Sequence, residues 1–176
     1  MISDESLILE YQRGSRDALN ELFARYRQPL YAFFRRRLLE KERAEDLTQE
    51  AFVVLIRNSV RYEPRSLFRA YLYGIAMNLL SAERRKQGRR EEELPDMTAC
   101  PHENAETALW VREALEKLDS HDREILMLRE YEQLSYSEIA SLLHVPINTV
   151  RSRLFRSRLE LKNHLEPTPR ATATQD

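Results

Sequence analysis

The segment Leu134-Ser135-Tyr136-Ser137-Glu138-Ile139-Ala140-Ser141-Leu142-Leu143-His144-Val145-Pro146-Ile147-Asn148-Thr149-Val150-Arg151-Ser152-Arg153-Leu154 contains a helix start, a break and a second helix start. Ser135-Tyr136-Ser137-Glu138 has the form of a capping box, in which the Ser135 hydroxyl accepts from the amide three residues on and the Glu138 carboxylate reaches back. A helix is therefore predicted from Tyr136. Pro146 disfavours helical geometry at Val145, so that helix must stop near His144-Val145-Pro146. A second helix is predicted from about Asn148 to His164. Ala140 leaves room for a close crossing, and Val150 can fill the gap between the two helices. This is the spacing of a helix-turn-helix. His144 stands where such turns commonly place Gly, which adopts a left-handed conformation more readily.

On a helical wheel Val150, Leu154, Ser157 and Leu161 form one narrow inward stripe, with Arg151, Arg153, Arg156, Arg158 and Lys162 flanking or opposing it. These cations can meet phosphates, and the exposed start of the helix carries side chains able to reach base edges. Candidate duplex-reading residues are Asn148, Thr149, Arg151, Ser152, Arg153, Phe155 and Arg156. Phe155 and Leu159 fall off the stripe, which leaves them either packing on the preceding helix around Ile125, Leu126 and Leu128 or touching thymine methyl groups.

Working outward, the 176-residue chain balances 28 Lys and Arg against 29 Asp and Glu, with only three glycines. Average usage would give roughly a dozen glycines, and the abundance of Leu, Glu, Arg and Ala predicts an all-α protein. No apolar run approaches the ~20 residues of a membrane helix, and Met1-Ile2-Ser3-Asp4-Glu5 lacks the basic and apolar parts of a signal peptide. A cytoplasmic protein without membrane insertion is expected. A lone Cys100 and scattered histidines argue against a thiol or metal enzyme, and no strand-and-glycine pattern suggests a nucleotide-binding sheet. Neither a cofactor nor a catalytic residue is expected. Asp119, His121 and Asp122 could be imagined as a hydrolytic site, but they read better as a helix start.

Charge is unevenly distributed: Arg84-Arg85-Lys86-Gln87-Gly88-Arg89-Arg90 runs straight into Glu91-Glu92-Glu93. Helical periodicity stops there, with Pro95 and Pro101 following. Two small helical domains are therefore predicted, residues 1–86 and 104–165, joined by a flexible linker at 87–103 and followed by a disordered tail at 166–176. Each domain should hold about four helices.

Two upstream helices have distinct outer faces. In Glu42 to Leu55, residues Leu47, Ala51, Val54 and Leu55 point inward, leaving Glu42, Asp46, Gln49, Glu50 and Val53 outside. Pattern alone does not separate a docking face from an ordinary wet one. In Phe68 to Lys86, the inward stripe is Leu72, Ile75, Ala76, Leu79 and Leu80, and nearly opposite lie Tyr71, Gly74, Asn78, Ser81 and Arg85. An aromatic, an amide and cations in one row suit a single strand, because aromatics stack on bases, amides bind base edges and arginines hold the backbone. Tyr71 and Tyr73 could equally be core-edge aromatics.

Taken together, Ala44-Glu45-Asp46-Leu47-Thr48-Gln49-Glu50-Ala51-Phe52, then Tyr71-Leu72-Tyr73-Gly74-Ile75-Ala76-Met77-Asn78 with Arg85-Lys86, then Leu134 to Ala140 with Pro146 to Leu154, resemble regions 2.2, 2.3–2.4 and 4.2 of an extracytoplasmic-function (ECF, group IV) RNA polymerase sigma factor of the sigma-70 family. The resemblance covers about residues 18 to 165. The family usually has Trp at Tyr71, Arg at Met77, Asp at Ala82 and Gly at Asn148. It implies a transcription initiation factor rather than an enzyme. Asp46, Gln49, Glu50 and Val53 would dock on the clamp helices of the largest subunit of bacterial core polymerase, with its flap as a further partner. Arg61, Tyr62, Tyr71, Asn78, Ser81, Arg84, Arg85 and Lys86 would hold the non-template strand of the minus-ten element, the loop Ser59 to Ser66 helping to form a pocket for a flipped base. The helix after Pro146 would read the minus-thirty-five element of promoter DNA, and the linker would thread the polymerase channels. A separate anti-sigma factor is the expected regulator. The alternative is a stand-alone helix-turn-helix regulator. Cys100 and His102 do not amount to a sensing site.

Overall fold

The computed structural model describes residues 2–38, 40–63, 67–86 and 105–165, and every regular element among them is helical. The predicted linker, the tail, and the pair Cys100 and His102 lie outside the described residues. The elements are α1 (Asp4–Gln12), α2 (Arg16–Arg35), α3 (Lys41–Asn58), a 3₁₀ turn (Ser59–Arg61), α4 (Phe68–Lys86), α5 (Ala105–Glu116), α6 (Ser120–Glu130), α7 (Tyr136–Leu143) and α8 (Ile147–Leu165).

Local chemistry explains most of the boundaries. Ser3, Ser15, Asp119 and Ser135 each accept an amide proton at the start of the helix that follows, satisfying a donor the helix itself cannot. Asp119 takes the His121 amide at 3.0 Å, and that bond holds its carboxyl below the ordinary value. The Asp119-His121-Asp122 group is thus a helix start. At α7 both halves of the capping box are made: Glu138 N–H donates to Ser135 Oγ at 3.1 Å, and Ser135 N–H donates to Glu138 Oε2 at 2.6 Å.

His144 ends α7 in the left-handed conformation, at φ 54° and ψ 42°. A side chain there costs roughly 1 kcal/mol more than glycine. His144→Gly is accordingly expected to stabilise the chain by about 1 kcal/mol, read as a rise of roughly 2–4 °C in the thermal midpoint. An unchanged or lower midpoint would mean that the exposed imidazole contributes a contact of its own.

The upstream core is aromatic. Phe33 is fully buried, with Phe34 at 5.3 Å and Tyr73 at 5.5 Å between ring centroids, while Tyr26 and Phe68 meet at 5.5 Å. Helix α1 pins the turn after α3, because Gln12 Nε2 donates to the carbonyls of Ser59 (2.7 Å) and Tyr62 (3.0 Å). Glu5 accepts the Phe68 amide at 3.1 Å and so marks where α4 begins.

Downstream, Val150, Leu154 and Ser157 of α8 are buried as the wheel predicted, and Leu161 is half-buried. The polar member of that stripe is satisfied internally: the Ser157 hydroxyl lies 2.7 Å from the Arg153 carbonyl and 3.3 Å from that of Asp122, against the first turn of α6.

The two halves also touch. Helix α4 packs on α7, and a Cβ added at Gly74 would sit 3.6 Å from Leu142 Cδ1, so Gly74 is not part of an open row. Beside this contact Arg36 and Arg37, at the end of α2, reach the buried Glu132 between α6 and α7, at 2.6 and 3.0 Å. Arg37 also pairs with Glu124 at 2.8 Å. Burial works against the Arg37 charge, but Glu124 and Glu132 outweigh it and hold the guanidinium above its ordinary value.

Candidate nucleic-acid interface

Helix α8 meets its core through Val150, Leu154 and Ser157, so its 100° periodicity turns Asn148, Ser152, Phe155 and Leu159 to the opposite side. Asn148, Arg151, Ser152 and Arg156 are exposed; Thr149 and Arg153 are half-buried. Arg151 Nη1 lies 3.4 Å from Asn148 Oδ1, and Ser152 Oγ donates to the Thr149 carbonyl at 3.1 Å. Phe155 is 70% exposed and Leu159 51%, so neither packs into the helix bundle and that alternative falls. The result is a surface of amide, hydroxyl and guanidinium groups around an apolar centre, the set of groups that distinguishes base edges and thymine methyls in a major groove. Arg158 departs from the expected row of free cations, because its Nη2 and Nε hold Glu130 Oε1 at 2.6 and 3.1 Å.

On α4, Asn78, Ser81, Arg84, Arg85 and Lys86 are exposed and Tyr71 is half-buried. Arg61 is exposed in the preceding turn. Tyr62, expected to face a strand, is only 4% exposed: its ring stands 5.3 Å from Tyr71 and 6.0 Å from Phe68, and burial pushes its hydroxyl up to about 12. The turn held by Gln12 directs this side chain inward, so Tyr62 supports Tyr71 from beneath. Leu79, predicted for the inward stripe, is half-buried at the rim of a groove.

That groove, about 420 Å³, is lined by Val54, Asn58, Arg61, Tyr71, Ile75, Asn78 and Leu79. It has an apolar floor, an aromatic edge, two amides and a guanidinium. A flat heteroaromatic group with hydrogen-bonding edges fits this chemistry, since ring stacking and edge recognition are both available. Sequence reading placed Tyr71, Asn78 and Arg61 but missed Asn58 and Val54, which come from α3 and join the groove only when α3 packs on α4. Residues 64–66 of the expected pocket loop lie outside the described residues.

The third face is on α3. Glu42, Asp46, Gln49, Glu50 and Val53 are all exposed, and Ile56 and Val60 extend the row as exposed apolar residues, Val60 at 84%. Sequence reading stopped at Val53, although Ile56 follows it by a helical step and could have been found that way. Arg43 ties this face to α4, lying 3.6 Å from Asp46 and 2.5 Å from the buried Glu83.

The family Sigma-70 region 2 matches residues 22–90, and Sigma-70, region 4, matches residues 108–161. RNA polymerase sigma-H factor of Pseudomonas aeruginosa is 30% identical over 183 residues, covering 93% of this chain and 94% of the relative. ECF RNA polymerase sigma-E factor of Escherichia coli K12 is 30% identical, covering 94% and 96%. Among solved structures, CnrH in complex with the cytosolic domain of CnrY superposes with a TM-score of 0.70 at 25% identity, over 91% of this chain and 95% of that one. RpoE of Bartonella quintana, solved with the anti-sigma factor NepR, shares the fold at a TM-score of 0.65 and 22% identity, over 83% and 95%. Two sigma regions matched in order, and relatives aligned almost end to end, place the helix-turn-helix and the grooved α4 in one setting: the chain belongs to the ECF RNA polymerase sigma factors of the sigma-70 family.

Proposed function

We propose that this protein joins bacterial core RNA polymerase, brings it to promoters and holds the melted strand, acting in the cytoplasm without covalent chemistry. The group IV layout, with domains at residues 1–86 and 104–165 and nothing but a linker between, is part of the same reading. The observation that carries it is the coexistence, on one chain, of a base-sized groove on α4, a duplex-reading face on α8 and the acidic and apolar strip of α3. A stand-alone regulator uses only the second.

In this reading Asp46, Gln49, Glu50 and Val53 dock on the clamp helices, the carboxylates pairing with arginines there. Tyr71, Asn78 and Arg61 hold an unpaired base of the minus-ten element, with Ser81, Arg84, Arg85 and Lys86 along the backbone. Asn148, Thr149, Arg151, Ser152, Arg153, Phe155 and Arg156 read the minus-thirty-five duplex, each phosphate contact adding about 0.9 to the salt slope. The flap and a separate anti-sigma protein are the further partners.

The test is run-off transcription with purified core polymerase and a library of promoter fragments, comparing the unmodified chain with an Asp46→Arg/Gln49→Ala variant. Transcripts from defined start sites are expected only with the unmodified chain, and the variant should lose core binding by tenfold or more, since one reversed charge in a paired site costs roughly 2–5 kcal/mol. No core binding together with tight binding to duplex alone would install the stand-alone regulator instead.

A further inference from the structure

We propose that Gln12 of α1 is a positioning residue for the unpaired base: it fixes the spacing between the two walls of the α4 groove and, through that spacing, the grip on the base. This rests on the base-holding role given to the groove above.

One wall of the groove is α4, with Tyr71, and the other includes Asn58 and Arg61 at either end of the turn after α3. That turn is a single 3₁₀ turn, Ser59–Arg61, and so short a run is weak on its own. Helix α1 holds both walls. Glu5 accepts the Phe68 amide at 3.1 Å where α4 begins, and Gln12 Nε2 donates to the Ser59 carbonyl at 2.7 Å and the Tyr62 carbonyl at 3.0 Å. Two helical turns separate Glu5 from Gln12, so they share one face and stand about 10 Å apart along it. Leu7 and Ile8 are buried between them and fix α1 on the core. The helix is thus a strut of set length between the two walls.

The grip needs a donor at Gln12. Both partners are carbonyl oxygens, so the amide nitrogen must face them, and both its hydrogens are used. The Ser59 carbonyl also accepts the Tyr62 amide at 3.0 Å, and the Ser59 hydroxyl donates to the Ile56 carbonyl at 2.8 Å. The gripped residues are the immediate neighbours of the groove pair: Ser59 follows Asn58, and Tyr62 follows Arg61. Tyr62 in turn sets its ring 5.3 Å from Tyr71, and Tyr71 Oη lies 3.5 Å from the Asn58 carbonyl. Gln12 does not line the groove itself, and it is exposed, so its side chain adds little to the core. Without its bonds water takes the two carbonyls and the walls change spacing. A groove correctly spaced a tenth as often holds a base about tenfold more weakly.

The test uses the full chain with core polymerase on a promoter carrying a preformed bubble, with an abasic residue placed at each minus-ten position of the non-template strand in turn. In the parent one position should be sensitive, its abasic form shortening the half-life by about tenfold or more, because a stacked base is lost. Gln12→Met keeps the length and helix propensity but donates nothing. It should shorten the half-life on the intact strand by about tenfold and shrink the abasic penalty at that one position to about twofold. Gln12→Lys, which restores a donor, should recover both. In a Tyr71→Ala/Asn78→Ala background Gln12→Met should add less than about twofold, because all three act through one groove. Core polymerase binding, capture of a minus-thirty-five duplex and the thermal midpoint should not change. In the free chain the Tyr62 amide should exchange its hydrogen about tenfold faster in Gln12→Met than in the parent. An unchanged half-life or exchange rate, a loss spread evenly over all positions, or a loss that adds fully to that of the double variant would each overturn the positioning role. A parent without any sensitive position would overturn the base-holding reading itself, which a sensitive parent with an insensitive variant leaves standing.

Discussion

Phe33→Ala is expected to remove about 3–5 kcal/mol of stability, the usual cost of deleting a fully buried phenyl ring, and so to lower the thermal midpoint by roughly 6–20 °C. Phe33 is fully buried, T-stacked on Phe34 and Tyr73, and capped by the Arg37 guanidinium at 3.9 Å. Truncation would open a cavity between α2 and α4 and remove the ring beneath a cation that already lies in the interior. Total stability of a domain is only about 5–15 kcal/mol, so the variant should sit close to its unfolding limit at 37 °C. Phe155→Ala supplies the contrast. With 70% of its surface in solvent, that ring should change stability by no more than about 0.5 kcal/mol, although it stands at the centre of the α8 face. Denaturant titration of both variants checks the pair; a loss below about 1 kcal/mol at Phe33 would refute the packing of α2 on α4.

Tyr71→Ala/Asn78→Ala is the largest expected functional loss that spares folding. Tyr71 is half-buried on the groove rim and Asn78 is exposed, so their removal exposes little core. A base stacked on an aromatic side chain gains about 1–3 kcal/mol, and an edge hydrogen bond adds about 1 kcal/mol. Loss of both should shorten the lifetime of the melted promoter complex about 30- to 1000-fold. Core polymerase binding and capture of the minus-thirty-five duplex should be unchanged, because those contacts lie on α3 and α8. Competitor-challenge half-lives on a promoter with a preformed bubble are the measurement that decides. A preformed bubble should not rescue the variant, since the defect is in holding the strand and not in opening it. Full rescue would show that the groove acts in melting alone.

Much of this was legible from short-range pattern. The capping box at Ser135, the break at Pro146 and the inward stripe of α8 depend on residues within a few positions of one another, and each is observed. The exposed rows of α3 and α4 were read for the same reason: helical periodicity alone turns Asp46, Gln49 and Glu50, or Asn78, Ser81 and Arg85, away from a core. The misplacements have a different origin. Tyr62 turned inward because Gln12, far away in sequence, grips the backbone on either side of it. Arg158 was taken by Glu130, and Gly74 was covered by Leu142.

Charge placement shows the same division most plainly. Arg36, Arg37 and Glu132 read as surface residues by type, since charged side chains are almost never fully buried unless paired, and their partner lies nearly a hundred positions away. Pro29 inside α2 points the same way: proline weakens a helix interior by about 3 kcal/mol, yet α2 continues through it with Tyr26, Leu30, Phe33 and Phe34 buried on one side. Sequence by itself determined the helical class, the helix-turn-helix and the outer faces, because those follow from periodicity and capping within one or two turns. Only the tertiary structure decided which charges are buried, which tyrosine lines the groove and that the two halves close on each other, because each depends on a contact between segments whose separation leaves no local pattern to read.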